Sequence, residues 1–170
     1  MKITALEEYG LRCMVALAKG WPEKSLSMPE LSSMEGLSIP YIGKLMMILK
    51  QAGLVKALRG RNGGYMLADN PENINLKVIF MALGEPIYGS RHCLRYPGDK
   101  ENCVHEADCT IKNMWLTFNN FINGVMKKLT LADLVKGEYD VLVDFERDDK
   151  EFDNPAPPEF ETGIQAEASH

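Results

Sequence analysis

Three of the four cysteines in this 170-residue chain fall close together, as Cys93-x9-Cys103-x5-Cys109. The surrounding stretch, 85–109, is polar, carries Gly89, Pro97 and Gly98, and has no apolar periodicity. Core packing therefore does not account for three thiols there. Clustered thiolates repel one another unless a cation or a bond joins them, and soft thiolates select zinc, Cu(I) or iron–sulfur. The spacing matches neither the Cys-x2-Cys of zinc ribbons nor the common ferredoxin runs. A metal site is the first reading, and plain or redox-active thiols are the second. Three thiols are one ligand short of four. His92 and His105 are local candidates, and Glu106 and Asp108 are weaker ones. Each histidine also reads as a solvated loop residue. Cys13 is different, because it falls on the apolar face of a predicted helix and reads as core.

A second constellation is cationic. The net charge of −5 argues against a nucleic-acid binder until it is divided along the chain. Residues 1–70 carry nine Lys/Arg against six Asp/Glu, residues 71–145 eight against ten, and residues 146–170 two against eight. Most of the acidity sits in the last 25 residues. The window from Ser38 to Tyr65 holds Lys44, Lys50, Lys56, Arg59 and Arg61 and no acid. A basic window of that length is an electrostatic footprint for nucleic acid, or else a solvated helix face.

The elements that must position these residues are read from caps and periodicity. Thr4 and Glu7 have capping-box spacing and open a helix to Lys19, with Leu6, Gly10, Cys13, Met14 and Leu17 on one face. Ser27 and Glu30 form a second box, and the short helix that follows ends near Met34. Glu35-Gly36-Leu37 is a tight turn, and Ser38 opens a third helix from Ile39 to about Ala52, closed at Gly53. Two short helices across such a turn have helix-turn-helix spacing. Two strands follow, Leu54–Leu58 and Tyr65–Ala68, around Arg59-Gly60-Arg61-Asn62-Gly63-Gly64. The Asn-Gly-Gly run favours positive φ and a hairpin turn. A tip bearing two arginines suits phosphates or a minor groove. Helix-turn-helix followed by a basic hairpin is a winged helix-turn-helix. Asn75 caps a helix over Leu76–Leu83, and helical periodicity returns from Thr110 to about Lys128. Thr130 starts a closing helix over Leu131–Val135. The fold expected is mostly α. Residues 1–70 form a winged helix-turn-helix DNA-binding domain, 71–84 a connecting helix and 85–109 the cysteine-bearing loop. Residues 110–145 hold a long C-terminal dimerisation helix and its closing helix, and 146–170 a disordered acidic tail.

Gly53-Leu54-Val55 followed by Arg59-Gly60-x-x-Gly63-Gly64-Tyr65-x-Leu67 resembles the iron–sulfur-regulator family of winged-helix repressors, which includes IscR, NsrR, RirA and CymR. Glu8-Tyr9-Gly10-Leu11-Arg12, Ser38-Ile39-Pro40-Tyr41-Ile42 and Thr130-Leu131-Ala132-Asp133-Leu134 fit the same pattern, over about residues 1–136. The resemblance implies a homodimer on a pseudo-palindromic double-stranded operator, with the third helix in a major groove and the wing against the adjacent minor groove. DNA contacts are expected from Ser38, Pro40, Tyr41 and Lys44, and from Arg59, Arg61, Asn62, Gly63 and Gly64. Tyr41 and Lys44 are expected on one face of the helix. Where the family often carries Glu, after Ile42, this chain has Gly43. The resemblance also implies that Cys93, Cys103 and Cys109 hold an iron–sulfur cluster, leaning to 2Fe–2S with 4Fe–4S possible. The family's first gap is usually as short as its second, whereas here it is nine residues against five. Lys112 stands where the IscR branch has its ligating histidine, and protonated lysine has no lone pair to give. Glu8 stands where the NsrR-like branch takes an acidic ligand from the partner's first helix. It is the leading candidate for the fourth ligand, ahead of His92 and His105.

Other classes are held against this reading. A zinc site, or a thiol–disulfide switch at Cys103 and Cys109, would keep the DNA binding. An iron–sulfur carrier would not bind DNA. No nucleophile–base pair, Walker or dinucleotide motif argues for an enzyme or a small-molecule substrate. The longest aliphatic run, Leu45 to Leu49, is far below the roughly 20 residues of a membrane span. The N-terminus lacks the apolar segment of a signal peptide, so a cytoplasmic protein with reduced thiols is expected.

Overall fold

The structure is a computed structural model that describes residues 3–60, 63–84, 88–89, 95–101, 103–105 and 109–137. The acidic tail expected over 146–170 lies outside these residues. So do Arg61, Asn62, His92 and Cys93.

Helix α1 (Ala5–Lys19) is capped as its sequence predicts. The Thr4 hydroxyl accepts the Glu7 N–H while the Glu7 carboxylate takes the Thr4 N–H. Its apolar residues cover more than one stripe, and Gly10, Cys13, Met14, Ala16, Leu17 and Ala18 are all buried. The reason is that α1 is packed from several sides at once. Helix α2 (Met28–Glu35), helix α3 (Ile39–Gln51) and the second wing strand all contact it. Gly36 ends α2 in the left-handed region, at φ 67°, where a Cβ is penalised and glycine is not. The chain then turns into α3, whose buried side is Ile42, Leu45, Met46 and Leu49. The helix-turn-helix is thus formed where the sequence places it.

Strands β1 (Val55–Leu58) and β2 (Gly64–Leu67) pair antiparallel, with Val55 opposite Leu67 and Leu58 opposite Gly64. The wing is a hairpin, as expected, but its glycines act differently from the expectation. Positive φ falls at Gly60, at 105°, and not at Gly63 or Gly64. Those two are demanded by close approach. A Cβ on Gly63 would lie 2.6 Å from the Leu58 carbonyl oxygen, and one on Gly64 2.6 Å from the Leu26 carbonyl oxygen. The second contact exists because Leu26 and Tyr65 exchange two backbone hydrogen bonds of 2.9 and 2.7 Å. The segment before α2 is in effect a one-residue third strand on the wing. Ser27, the next residue, caps α2, with its hydroxyl accepting the Glu30 N–H.

A short 3₁₀ turn (Pro71–Asn73) leads to α4 (Leu76–Leu83), capped by the Asn75 carboxamide. After the cysteine loop come α5 (Thr110–Lys128) and α6 (Leu131–Lys136). The end of α5 is fastened to the start of α4 by backbone bonds from Leu76 N–H to the Leu129 carbonyl and from Leu131 N–H to the Ile74 carbonyl. Helix α6 then returns to α1. Glu30 and Asp133 are held below the usual carboxylate range by the backbone and hydroxyl groups of Ser27 and Thr130. Both capping boxes therefore stabilise above the ordinary carboxylate pKa and lose that contribution as pH falls through the lowered values.

Gly64→Ala is expected to push the wing off Leu26. The unfolding midpoint followed by circular dichroism should fall by about 5 °C, corresponding to ~1–2 kcal/mol of overpacking against backbone. An unchanged midpoint would mean the Leu26–Tyr65 pairing is dispensable.

Candidate nucleic-acid interface and cysteine loop

On α3, burial of Ile42, Leu45, Met46 and Leu49 leaves Pro40, Lys44, Met47 and Gln51 pointing outward, all of them exposed. Ser38 occupies the N-cap position, yet its hydroxyl makes no cap hydrogen bond; only its carbonyl is engaged, by the Tyr41 and Ile42 N–H groups. The hydroxyl is thus not committed to the helix and can meet a phosphate oxygen. Lys44 and Lys50 are exposed on the helix and Arg59 at the wing, with no ion pair to any of the three among the described residues. Lys56 lies over the Trp21 ring, 5.6 Å from its centroid.

Tyr41 does not share the outward stripe with Lys44. It is half-buried, and its ring meets that of Tyr9 edge-on, with centroids 6.0 Å apart and planes at 88°. The Arg12 guanidinium stands 5.4 Å from the Tyr9 centroid. From there Arg12 donates to the Glu35 carboxylate at 2.8 Å and to the Glu35 backbone carbonyl at 3.0 Å. A cation on the last residue of α2 suits the negative end of that helix. Arg12 and Tyr9 thus join α1 to both helices of the helix-turn-helix. Sequence reasoning missed this, because a salt bridge 23 residues apart leaves no local spacing signal. It also missed Met47 and Gln51, whose outward placement becomes evident only once the buried face of α3 is known.

Glu8 is exposed on α1. With Leu11, Arg12, Val15, Met34 and Leu134 it lines an open groove of about 340 Å³ between α1, α2 and α6. No group of three or more His, Cys, Asp and Glu side chains among the described residues could hold a metal ion. Cys93 and His92 are not in that set. Cys103 and Cys109 are free thiols, each partly exposed. Cys109 is the N-cap of α5, and its sulfur accepts the Lys112 N–H at 3.4 Å. A helix N-terminus suits a negatively charged sulfur ligand. The position of Cys109 thus favours a thiolate, while Cys103 and Cys109 alone do not make a ligand set. His105 is exposed on the same loop. Cys13 is core, as expected: it is fully buried, and burial first, then the nearby Glu35 carboxylate, pushes its thiol up to about 12.

Helix α5 has no buried residue. Ile111, Met114, Phe118 and Phe121 follow one another at three- and four-residue steps and are 62, 45, 52 and 39% exposed. No helix among the described residues is long and apolar enough to cross a membrane.

Residues 3–137 match the Rrf2 family, described as "Iron-dependent Transcriptional regulator". IscR of Serratia proteamaculans is 29% identical over 143 residues, covering 84% of each chain. Among solved structures, that of T. potens IscR aligns with a TM-score of 0.64 at 29% identity, over 81% of this chain and 88% of the other. The structure of B. subtilis CymR, described as a global cysteine regulator, aligns at 0.63 and 30% identity, over 81% and 98%.

Native, metal-free protein exposed to iodoacetamide at pH 8 should be alkylated at Cys103 and Cys109 well before Cys13, read by peptide mass spectrometry. Comparable labelling of Cys13 would contradict its burial and raised pKa.

Proposed function

The chain belongs to the Rrf2 family of transcriptional regulators, and on that premise we propose that it is a homodimeric DNA-binding regulator tuned by an iron–sulfur cluster. The observation that carries the DNA binding is the outward face of α3 and the wing. Lys44, Lys50 and Arg59 are exposed there, and the sequence from Ser38 to Tyr65 contains no acid. Ser38 and Lys44 would engage phosphate or base edges at the helix start, with Pro40 beside them and Tyr41 buttressed by Tyr9. Arg59, Arg61, Asn62, Gly63 and Gly64 would carry the wing contact. Gly63 and Gly64 also let the wing backbone pack closely. The exposed apolar row of α5 supports pairing with a second copy, since a two-fold axis lets the same row cover itself.

Cys93, Cys103 and Cys109 would hold the cluster, with Glu8 of the partner subunit as the leading fourth ligand and His92 or His105 behind it. Lys112 removes the IscR-type histidine from consideration. When bound, such a cluster, with 2Fe–2S favoured, supplies a group that responds to oxidants and nitric oxide. The chain's own part is to turn that response into a change at the reading head. Glu8 is followed directly by Tyr9, and Tyr9 and Arg12 touch Tyr41 and Glu35. A displacement at Glu8 is therefore felt at the start of α3 and at the end of α2. The second reading, a zinc site or a thiol–disulfide switch, is favoured by the two free, partly exposed thiols Cys103 and Cys109.

Anaerobically purified protein should be brown, with iron and acid-labile sulfide, and should bleach with air or nitric oxide. A duplex selected from a random pool should bind with an affinity that falls steeply with salt, and Lys44→Gln should weaken it about tenfold and flatten the salt slope by about two, one for each subunit. Stoichiometric zinc in colourless protein would replace the cluster with a structural metal. Colourless, metal-free protein after anaerobic reconstitution would leave the thiol switch. Absence of selected, salt-dependent binding would overturn the regulator itself.

A further inference from the structure

Between Ser38 and Gln51 the outward side of α3 carries few groups able to hydrogen-bond a base. Lys44 is the polar side chain of its central turns, and Gln51 lies 11 residues beyond Pro40, about 16 Å along the axis. Apart from Lys44, Lys50 and Gln51, the exposed residues of α3 are apolar, Ile39, Pro40 and Met47. Ile39 is 47% and Met47 53% exposed, and Met28, at the start of α2, is 37% exposed. Gly43 has no side chain, and the Met28 sulfur lies 3.7 Å from where its Cβ would be. Ile39, Gly43 and Met47 follow at four-residue steps on one face of α3, with the Met28 sulfur beside Gly43. Exposed cations flank this face, Lys44 beside it and Lys50 one turn beyond Met47. No acid occurs in the same stretch of sequence.

An exposed apolar patch set among unpaired cations fits an anionic partner with apolar groups at a fixed depth. The major groove supplies this at thymine, whose 5-methyl group is the apolar mark among the base edges. Adenine and cytosine are ordinarily read by Asn, Gln, Asp or Glu, and the first turns of α3 have none of these. We infer that the α3 face formed by Ile39, Gly43 and Met47, with Met28 behind it, selects operators by contact with thymine methyl groups. This rests on the regulator reading above and assigns it a base preference.

The test uses full-length protein and duplexes selected from a random pool. Each selected duplex is resynthesised with deoxyuridine for thymine, which removes the methyl and keeps the pairing. Wild-type affinity, by fluorescence anisotropy, should fall about fourfold for each contacted methyl, and about tenfold or more over two half-sites. Met47→Ala should bind more weakly and lose most of this sensitivity, to less than about twofold, whereas Met47→Leu should keep it. Because Met47 is exposed, neither substitution should disturb folding, which circular dichroism checks. Selected duplexes bound equally with thymine and deoxyuridine would overturn the inference while leaving the regulator intact. Equal sensitivity in wild type and Met47→Ala would assign the effect to duplex shape and overturn it too. A change of oligomeric state in Met47→Ala would make the patch a protein contact. Failure to select any duplex would remove the regulator reading and this one with it.

Discussion

Everything in this fold hangs on α1. A helix-turn-helix of eight and thirteen residues cannot bury both its helices by itself, and a two-stranded wing is marginal without a surface to lie on. Helix α1 supplies that surface to α2, α3, α4, β2 and α6 together. Its composition follows from this duty. Small residues, Gly10, Ala16 and Ala18, stand where neighbouring elements come close, and Met14, Leu17 and Cys13 fill the space between them. At Gly10 the approach is close enough that a Cβ would lie 2.5 Å from the Leu83 side chain. What is left of α1 facing water is a narrow strip, and Glu8 and Arg12 are on it.

On the proposed reading, that arrangement makes α1 the place where a signal would enter. A helix packed on every reading element cannot move alone, and the contacts it makes with α2 and α3 are specific in direction. The Arg12–Glu35 pair is partly solvent-exposed on the arginine side, at 42% against 12%, so its worth in stability is modest. Its geometric effect is larger, because the same guanidinium holds a carboxylate, a backbone carbonyl and an aromatic ring. Such a multiply bonded group fixes the angle between α1 and the helix-turn-helix more firmly than dispersion contacts alone.

The sequence reading and the structure agree most closely where local chemistry decides. Capping boxes at Thr4 and Ser27, the helix start at Thr130, the closing glycine Gly53 at φ 72° and the period of α5 are signals carried within a few residues, and the elements begin and end close to where they point. The hairpin itself was also readable. The reason for its glycines was not, because the Leu26 carbonyl that excludes a Cβ at Gly64 arrives from 38 positions earlier in the sequence. Tyr41 shows the same limit: three-residue spacing to Lys44 suggests a shared face, and only the presence of Tyr9 turns the ring away. The group of three cysteines was visible as composition, but Cys93 lies outside the described residues, so the structure relates only Cys103 and Cys109 to the fold.

Net charge is a poor guide for this chain, and the reason is distance. At physiological ionic strength charges separated by more than about 8 Å of solvent are largely screened, so a duplex responds to the face it touches and not to the total. On α3 and the wing, Lys44, Lys50, Lys56 and Arg59 are exposed among the described residues. The sequence-independent part of the affinity scales with the number of phosphates neutralised, so a cation counts only where it meets the duplex. On the reading proposed above, discrimination between sites would come from contacts that match the base edges, and an exposed apolar patch on α3 is a side-chain arrangement suited to provide them.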